Sequence, residues 1–144
     1  MTDKELRQYR SLLKEAEDLQ CRINKLYDKK LTTTHDTIRG SSKKFPYTEY
    51  HTGVWVYDPK QVAVRDELIA VYQERLDQAR KEILKIEQYI RDIPDSELRQ
   101  IFEYRYIDGM KLREIGELIN MDFTGVGRKI KAHLQKFQQN QQNP

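Results

Sequence analysis

Apolar residues recur at helical spacing in three stretches of this chain, and a different pattern separates the first two. From about Asp3 to Lys29, Tyr9, Leu12, Ala16, Leu19, Ile23 and Leu26 alternate at steps of three and four. Such alternation draws one narrow stripe along one side of a helix, with charged and polar residues elsewhere. The second stretch opens at Asp58-Pro59, a good first turn for a helix. It carries Ile69, Tyr72, Leu76, Ala79, Ile83, Ile86, Ile90 and Ile93 and stops at Pro94, which a helix interior excludes. Both stripes have coiled-coil length, and the linker between them allows an antiparallel return or pairing between chains. A two-helix hairpin has little core of its own. The expectation is therefore self-association through Leu12, Leu19, Leu26, Leu76, Ile83 and Ile90, with the core of a monomeric bundle as the alternative.

The third stretch, KLREIGELINMDFTGVGRKIKAHLQKF from Lys111, places Leu112, Ile115, Leu118, Ile119, Met121, Val126, Ile130 and Leu134 as two helices around a tight turn. Gly116 stands where the first helix must admit the second. Asn120 stands where a residue tolerant of positive φ is wanted, and Asp122 offers an N-cap. The order predicts a helix-turn-helix, whose second helix can enter a DNA major groove. Upstream, Asp95-Ser96 offers a cap for a helix carrying Leu98, Ile101, Phe102, Tyr104, Tyr106 and Ile107, ended by Asp108-Gly109.

Thr32 to Asp58 does not read as helix. Gly40, Pro46 and Gly53 interrupt it, and Val54 and Val56 suggest a short strand with Thr48 to His51 as its partner. Phe45, Tyr47, Tyr50, Trp55 and Tyr57 stand beside Arg39, Lys43 and Lys44. These aromatics either pack the segment down or stack on bases. Either way they are too many for a solvated tether.

The predicted fold class is all-α: long antiparallel coiled-coil helices with an inserted aromatic-rich loop or short β-hairpin, then the helix-turn-helix. The expected divisions are 1–93 for the helical module with its insertion at 32–58, 94–138 for the DNA-binding domain, and 139–144 for a disordered tail.

Composition sharpens this picture at a few points. The chain has 144 residues, 38% hydrophobic and 34% charged, a balance that suits exposed helices more than one large core. Net charge is only +3, but the cations after Phe123, namely Arg128, Lys129, Lys131 and Lys136, meet no acid there. Positive charge on and beyond the second helix suits phosphate contacts. Cys21 is the single cysteine, which excludes an internal disulfide framework and a multi-cysteine metal site. No membrane-length apolar run or leader pattern is evident, so a cytoplasmic protein is expected.

Enzymatic motifs are missing. His35, His51 and His133 are scattered and make no HExxH pair, and no phosphate-cradling glycine loop is present. His51 beside Glu49 lacks any supporting nucleophile. A binding protein without cofactor or metal is expected, not an enzyme.

Leu98 to Phe137 resembles the fourth region of sigma-70-type sigma factors: a helix ending in EYRYIDGMKL, then REIGELI, then a capped reader helix. With Gly40-Ser41-Ser42-Lys43-Lys44-Phe45-Pro46-Tyr47-Thr48 after a coiled coil, the whole chain resembles small phage and prophage proteins of Gram-positive bacteria. These are related in layout to late transcription activators of the RinA and ArpU type. The resemblance implies a sequence-specific regulator binding double-stranded DNA at phage promoters in a bacterial host; the homo-oligomer is expected from the two stripes, and RNA polymerase is a further candidate partner. A small terminase-like packaging subunit, or a sigma-like module docking on RNA polymerase or a host factor, are the alternatives. Gly125 and Gly127 depart from the usual reader helix. They fit either close backbone approach to the duplex or a module given over to protein contact. The site expected on this reading comprises Phe123, Thr124, Gly127, Arg128, Lys129, Lys131, Lys136 and, on the preceding helix, Arg113. Thr124 and Arg128 are placed at bases, with Gly127 allowing approach, and the lysines and Arg113 at phosphates.

Overall fold

The computed structural model describes residues 1–31, 33–41 and 49–142, with 34–41, 49–52 and 54–55 described by backbone alone. The chain is mostly helical. Its first helix is split: α1 (Asp3–Arg7) and α2 (Tyr9–Asp28) meet at Gln8. A capping box starts α1. The Thr2 hydroxyl accepts from the Glu5 N–H at 3.2 Å, and Glu5 Oε2 accepts from the Thr2 N–H at 2.6 Å.

The expected non-helical segment is an antiparallel hairpin, β1 (Thr33–Ser41) and β2 (Glu49–Tyr57), in register from Thr33↔Tyr57 to Ser41↔Glu49. This corrects the partner expected for Val54 and Val56. They pair with Asp36 and Thr34 on β1, whereas Glu49 to His51 belong to β2 itself and Thr48 lies outside the described residues. Gly40 and Gly53, read as interruptions, lie inside strands opposite Tyr50 and Thr37. A β-rich run on both sides tolerates one glycine per strand when its partner is large or β-branched. Phe45, Tyr47, Lys43 and Lys44 lie outside the described residues. The side chains of Arg39, Tyr50 and Trp55 do as well, and with them the question of packing or stacking.

After β2, α3 (Pro59–Arg91) runs for 33 residues, begun by Pro59 and stopped before Pro94. Next come α4 (Ser96–Phe102), a π-helical turn (Glu103–Ile107), α5 (Leu112–Ile119) and α6 (Phe123–Gln142). The π turn closes with the Asp108 N–H donating to the Glu103 carbonyl at 3.0 Å, followed by Gly109 at φ 71°. Asp95 occupies the position before α4, but its side chain makes no capping hydrogen bond. α6 continues through residues 139–142, which were expected to be a disordered tail. No glycine or proline interrupts QQNQQ, and the edge-on contact of Phe137 with Tyr89, 5.0 Å between ring centres, holds the helix one turn earlier.

Packing divides the chain into two units, Met1–Leu19 with Arg75–Pro144, and Gln20–Glu74. The first holds one core. Leu6, Tyr9, Ile83, Ile86, Ile90 and Ile93 from the long helices join Ile101, Phe102, Tyr106, Ile115, Val126, Ile130 and Leu134. The division expected at residue 94 is therefore not where packing divides the chain, because the isoleucine stripe of α3 is the floor on which α4 to α6 rest. Within this unit α2 and α3 run antiparallel. The Tyr9 hydroxyl donates to Glu87 Oε1 at 2.7 Å, and Arg75 pairs with Glu15 at 3.0 Å.

The stripes assigned to self-association are covered inside the chain. Leu19, Leu76, Ile83 and Ile90 are buried, and Leu12 and Leu26 are half-buried. This corrects the expectation that the long helices find too little core within one chain. They cover one another, and α4 to α6 cover the far end of α3. In the second unit Ile23 of α2 and Ile69 of α3 are buried, and β1 pairs with β2.

Candidate nucleic-acid interface

α5 and α6 form a rigid helix pair whose geometry follows from a few residues. α5 starts with the Lys111 N–H donating to Glu114 Oε2 at 2.9 Å, and its apolar side buries Ile115 completely. It ends at Asn120, which takes the left-handed conformation, φ 54° and ψ 45°. Asparagine adopts that conformation more readily than other side chains. The Met121 N–H then returns to the Gly116 carbonyl at 2.9 Å. Gly116 has no room for a side chain, since a Cβ there would collide with the Met121 carbonyl oxygen. The close approach expected at Gly116 is thus to the backbone of the turn. Asp122 precedes α6. Its carbonyl accepts the first helical N–H, from Val126 at 3.1 Å, and its carboxylate accepts from the Thr124 hydroxyl.

Val126, Ile130 and Leu134 bury one side of α6 in the core. Behind them His133 stacks edge-on against Phe102, 5.3 Å between ring centres, and lies 6.0 Å from Tyr89. Burial pushes the His133 imidazole below its ordinary pKa, with Lys136 adding to the shift, and burial pushes the Tyr89 hydroxyl up to about 12. Neither His133 Nε2 nor the Tyr89 hydroxyl finds a hydrogen-bond partner.

With that side fixed, the outward row follows from helical geometry: Thr124, Arg128, Lys131 and Gln135, at steps of four, three and four, all exposed. Three of these were expected from the sequence. Gln135 was not, although its spacing from Lys131 is a sequence signal. The other expected residues distribute differently. Gly127 does not face outward. A Cβ on it would sit 3.7 Å from Leu112 Cδ1, against α5, so it lies half-buried on a flank of α6 outside the outward row. Phe123 is exposed, and the Arg113 guanidinium lies over its ring at 5.4 Å, so these two residues hold each other. Lys129 lies on the flank toward α4 and pairs with Glu97 at 3.0 Å. Lys136 is exposed on that same flank.

On the other flank the fold adds cations that the local sequence pattern did not signal. Arg7 and Arg105 share with Lys131 a cleft of about 180 Å³ walled by Leu112, Gly127 and Ile130. Arg7 is paired there with Asp3 at 2.8 Å, and an Arg105 N–H donates to the Met110 carbonyl at 3.1 Å. Among the described residues no group of histidine, cysteine, aspartate and glutamate is placed to hold a metal ion, and no helix is long and apolar enough to cross a membrane.

No protein-family model, curated protein or solved structure matches this chain.

Proposed function

We propose that this chain is a sequence-specific double-stranded DNA-binding regulator of transcription that uses α5 and α6 as a helix-turn-helix. The observation that supports it most is the outward row of α6. Thr124, Arg128, Lys131 and Gln135 stand exposed on a helix braced by Asn120, Gly116 and a continuous core. An exposed row of hydroxyl, guanidinium, ammonium and amide is what a major-groove helix needs. Arginine reads guanine, glutamine reads adenine, and lysine neutralises phosphate. Thr124 and Arg128 lie in the first turns, where such helices meet base edges. Lys131 and Lys136, with Arg105 beside the cleft, are the phosphate contacts. Lys129 contributes only after Glu97 releases it. The antiparallel long helices serve as a coiled-coil mount for the reader. The phage promoter context belongs to the resemblance to phage activators, while the cytoplasmic setting, the homo-oligomeric state and RNA polymerase contact remain expectations from the sequence. Catalysis, cofactors and membrane have no part in this reading.

Selection of bound duplexes from a random library, followed by titration at several salt concentrations, tests it. An enriched motif and a steep salt dependence support it, and an unenriched pool overturns it.

One observation favours a second reading, a sigma-like protein-docking module. Leu118 is 58% exposed and Phe123 41% exposed on this same helix pair. Capture of purified RNA polymerase, lost on Leu118→Asp and unaffected by Arg128→Ala, is the outcome that selects it over DNA reading.

A further inference from the structure

In the unit Gln20–Glu74, the end of α2 and the start of α3 leave an apolar face uncovered. Ile23 and Ile69 are buried, which satisfies the pairing of the two stripes. A different stripe, Val64, Leu68 and Val71 at steps of four and three, stays in solvent, with Val64 65% exposed and Val71 48% exposed. Leu26 and Leu68 form the floor shared by two adjoining hollows of about 380 and 470 Å³. Cations edge both. Lys29, Lys30, Lys60 and Arg65 line the first, and Arg22 and Lys25 line the second. Asp28 is the one carboxylate among these lining residues, and the Arg65 guanidinium leans to Asp66 at 3.2 Å outside them.

We propose that this groove is a docking site for an acidic amphipathic helix of another protein. Aliphatic residues at helical steps match a partner helix that presents apolar residues at the same steps. The basic rim selects carboxylates on that helix's flanks and speeds its encounter. Contiguous exposed apolar surface with a polar rim marks an interaction site. The branched aliphatics on its floor offer nothing to a phosphate backbone, which separates this groove from the cationic row of α6. The site lies outside the helix pair proposed to read DNA, so it stands or falls independently of that reading.

Titration of the full chain against a labelled helical peptide, leucine along one face and glutamate elsewhere, tests the proposal by fluorescence anisotropy. Saturable binding is expected. Val64→Asp and Lys60→Glu, both at exposed positions, should each weaken it about tenfold, as loss of an interface anchor does. The same peptide with lysine in place of glutamate should not bind. Absence of saturable binding to the acidic peptide overturns the proposal, as does equal binding of the lysine peptide. Displacement of the peptide by duplex DNA, with Lys60→Glu weakening both ligands alike, overturns it in favour of nucleic acid. A dimer in sedimentation that Val64→Asp dissolves overturns it in favour of a second copy of this chain.

Discussion

The Tyr106 hydroxyl donates to Asp3 Oδ1 at 2.6 Å, joining the π turn to the first helix across 103 positions of sequence. Burial, with Asp3 beside it, raises the Tyr106 pKa above that of a free tyrosine, so the hydroxyl remains a donor throughout the neutral range. Tyr106→Phe keeps the ring against Phe102, 5.4 Å between centres, and removes only the hydrogen bond. Asp3 stays partly solvated and paired with Arg7. A loss of about 1 kcal/mol in urea unfolding is expected, with helicity unchanged. An unchanged midpoint would show that α1 docks without this bond.

Three glycines of the helix pair should respond differently to alanine. At Gly116 the added methyl meets the Met121 carbonyl, a backbone atom that cannot swing aside. Gly116→Ala should cost about 2 kcal/mol or more, as overpacking against rigid neighbours does. At Gly127 the methyl finds ordinary contact with Leu112, so Gly127→Ala should stabilise α6 by up to about 1 kcal/mol through helix propensity. At Gly125 it meets the flexible Met121 side chain at 3.1 Å, and an intermediate result is expected. Thermal unfolding of the three variants gives the order directly.

His133 should make stability depend on pH. Its folded pKa lies below the unfolded value because burial disfavours the imidazolium. The unfolded chain therefore binds the proton more readily. The stability held above the unfolded pKa, about 6.5, is lost as pH falls from there toward the folded pKa. His133→Phe should show a smaller drop in unfolding midpoint than the parent between about pH 7.5 and about pH 5.5. Equal drops would place the acid sensitivity elsewhere.

On DNA, the row and the flank of α6 should separate. Arg128→Ala should cost about 1–3 kcal/mol on the selected sequence and little on others, while Lys131→Ala should weaken all sequences and lower the salt slope by about one. Glu97→Gln frees Lys129 and should tighten non-specific binding, with a steeper salt dependence. Parent-like affinity for Arg128→Ala on its selected duplex would remove α6 from the reading role.

The covered stripes predict a concentration-independent fold. Leu76 and Ile90 are both 1% exposed in the single chain. Leu76→Asp or Ile90→Asp should unfold the protein at any concentration, because the carboxylate enters the chain's own core. An unfolding midpoint of the parent that rises with protein concentration would instead show that folding and association are linked.

Several features were determined by the sequence alone. The stripes of Tyr9 to Leu26 and Ile69 to Ile93 specify long helices because apolar periodicity is local and survives any arrangement. Pro59, Pro94, Gly116 and Asn120 mark starts, stops and turns because their backbone limits are intrinsic. The exposed Thr124, Arg128 and Lys131 follow from the same 3.6-residue period that buries Val126 and Ile130. Tertiary structure alone decided what covers each stripe. Leu19 and Ile83 are as apolar as residues at an interface between chains, and only the closing of α4 to α6 over α3 made Ile83 part of an internal core. The pairing of Thr33–Ser41 with Glu49–Tyr57 likewise depended on register, which alternation within one strand does not contain. The same holds for Lys129 with Glu97, Phe123 with Arg113, and Arg7 and Arg105 beside Lys131. A side chain's charge is written in the sequence, but its partner is set by which helices the core brings side by side.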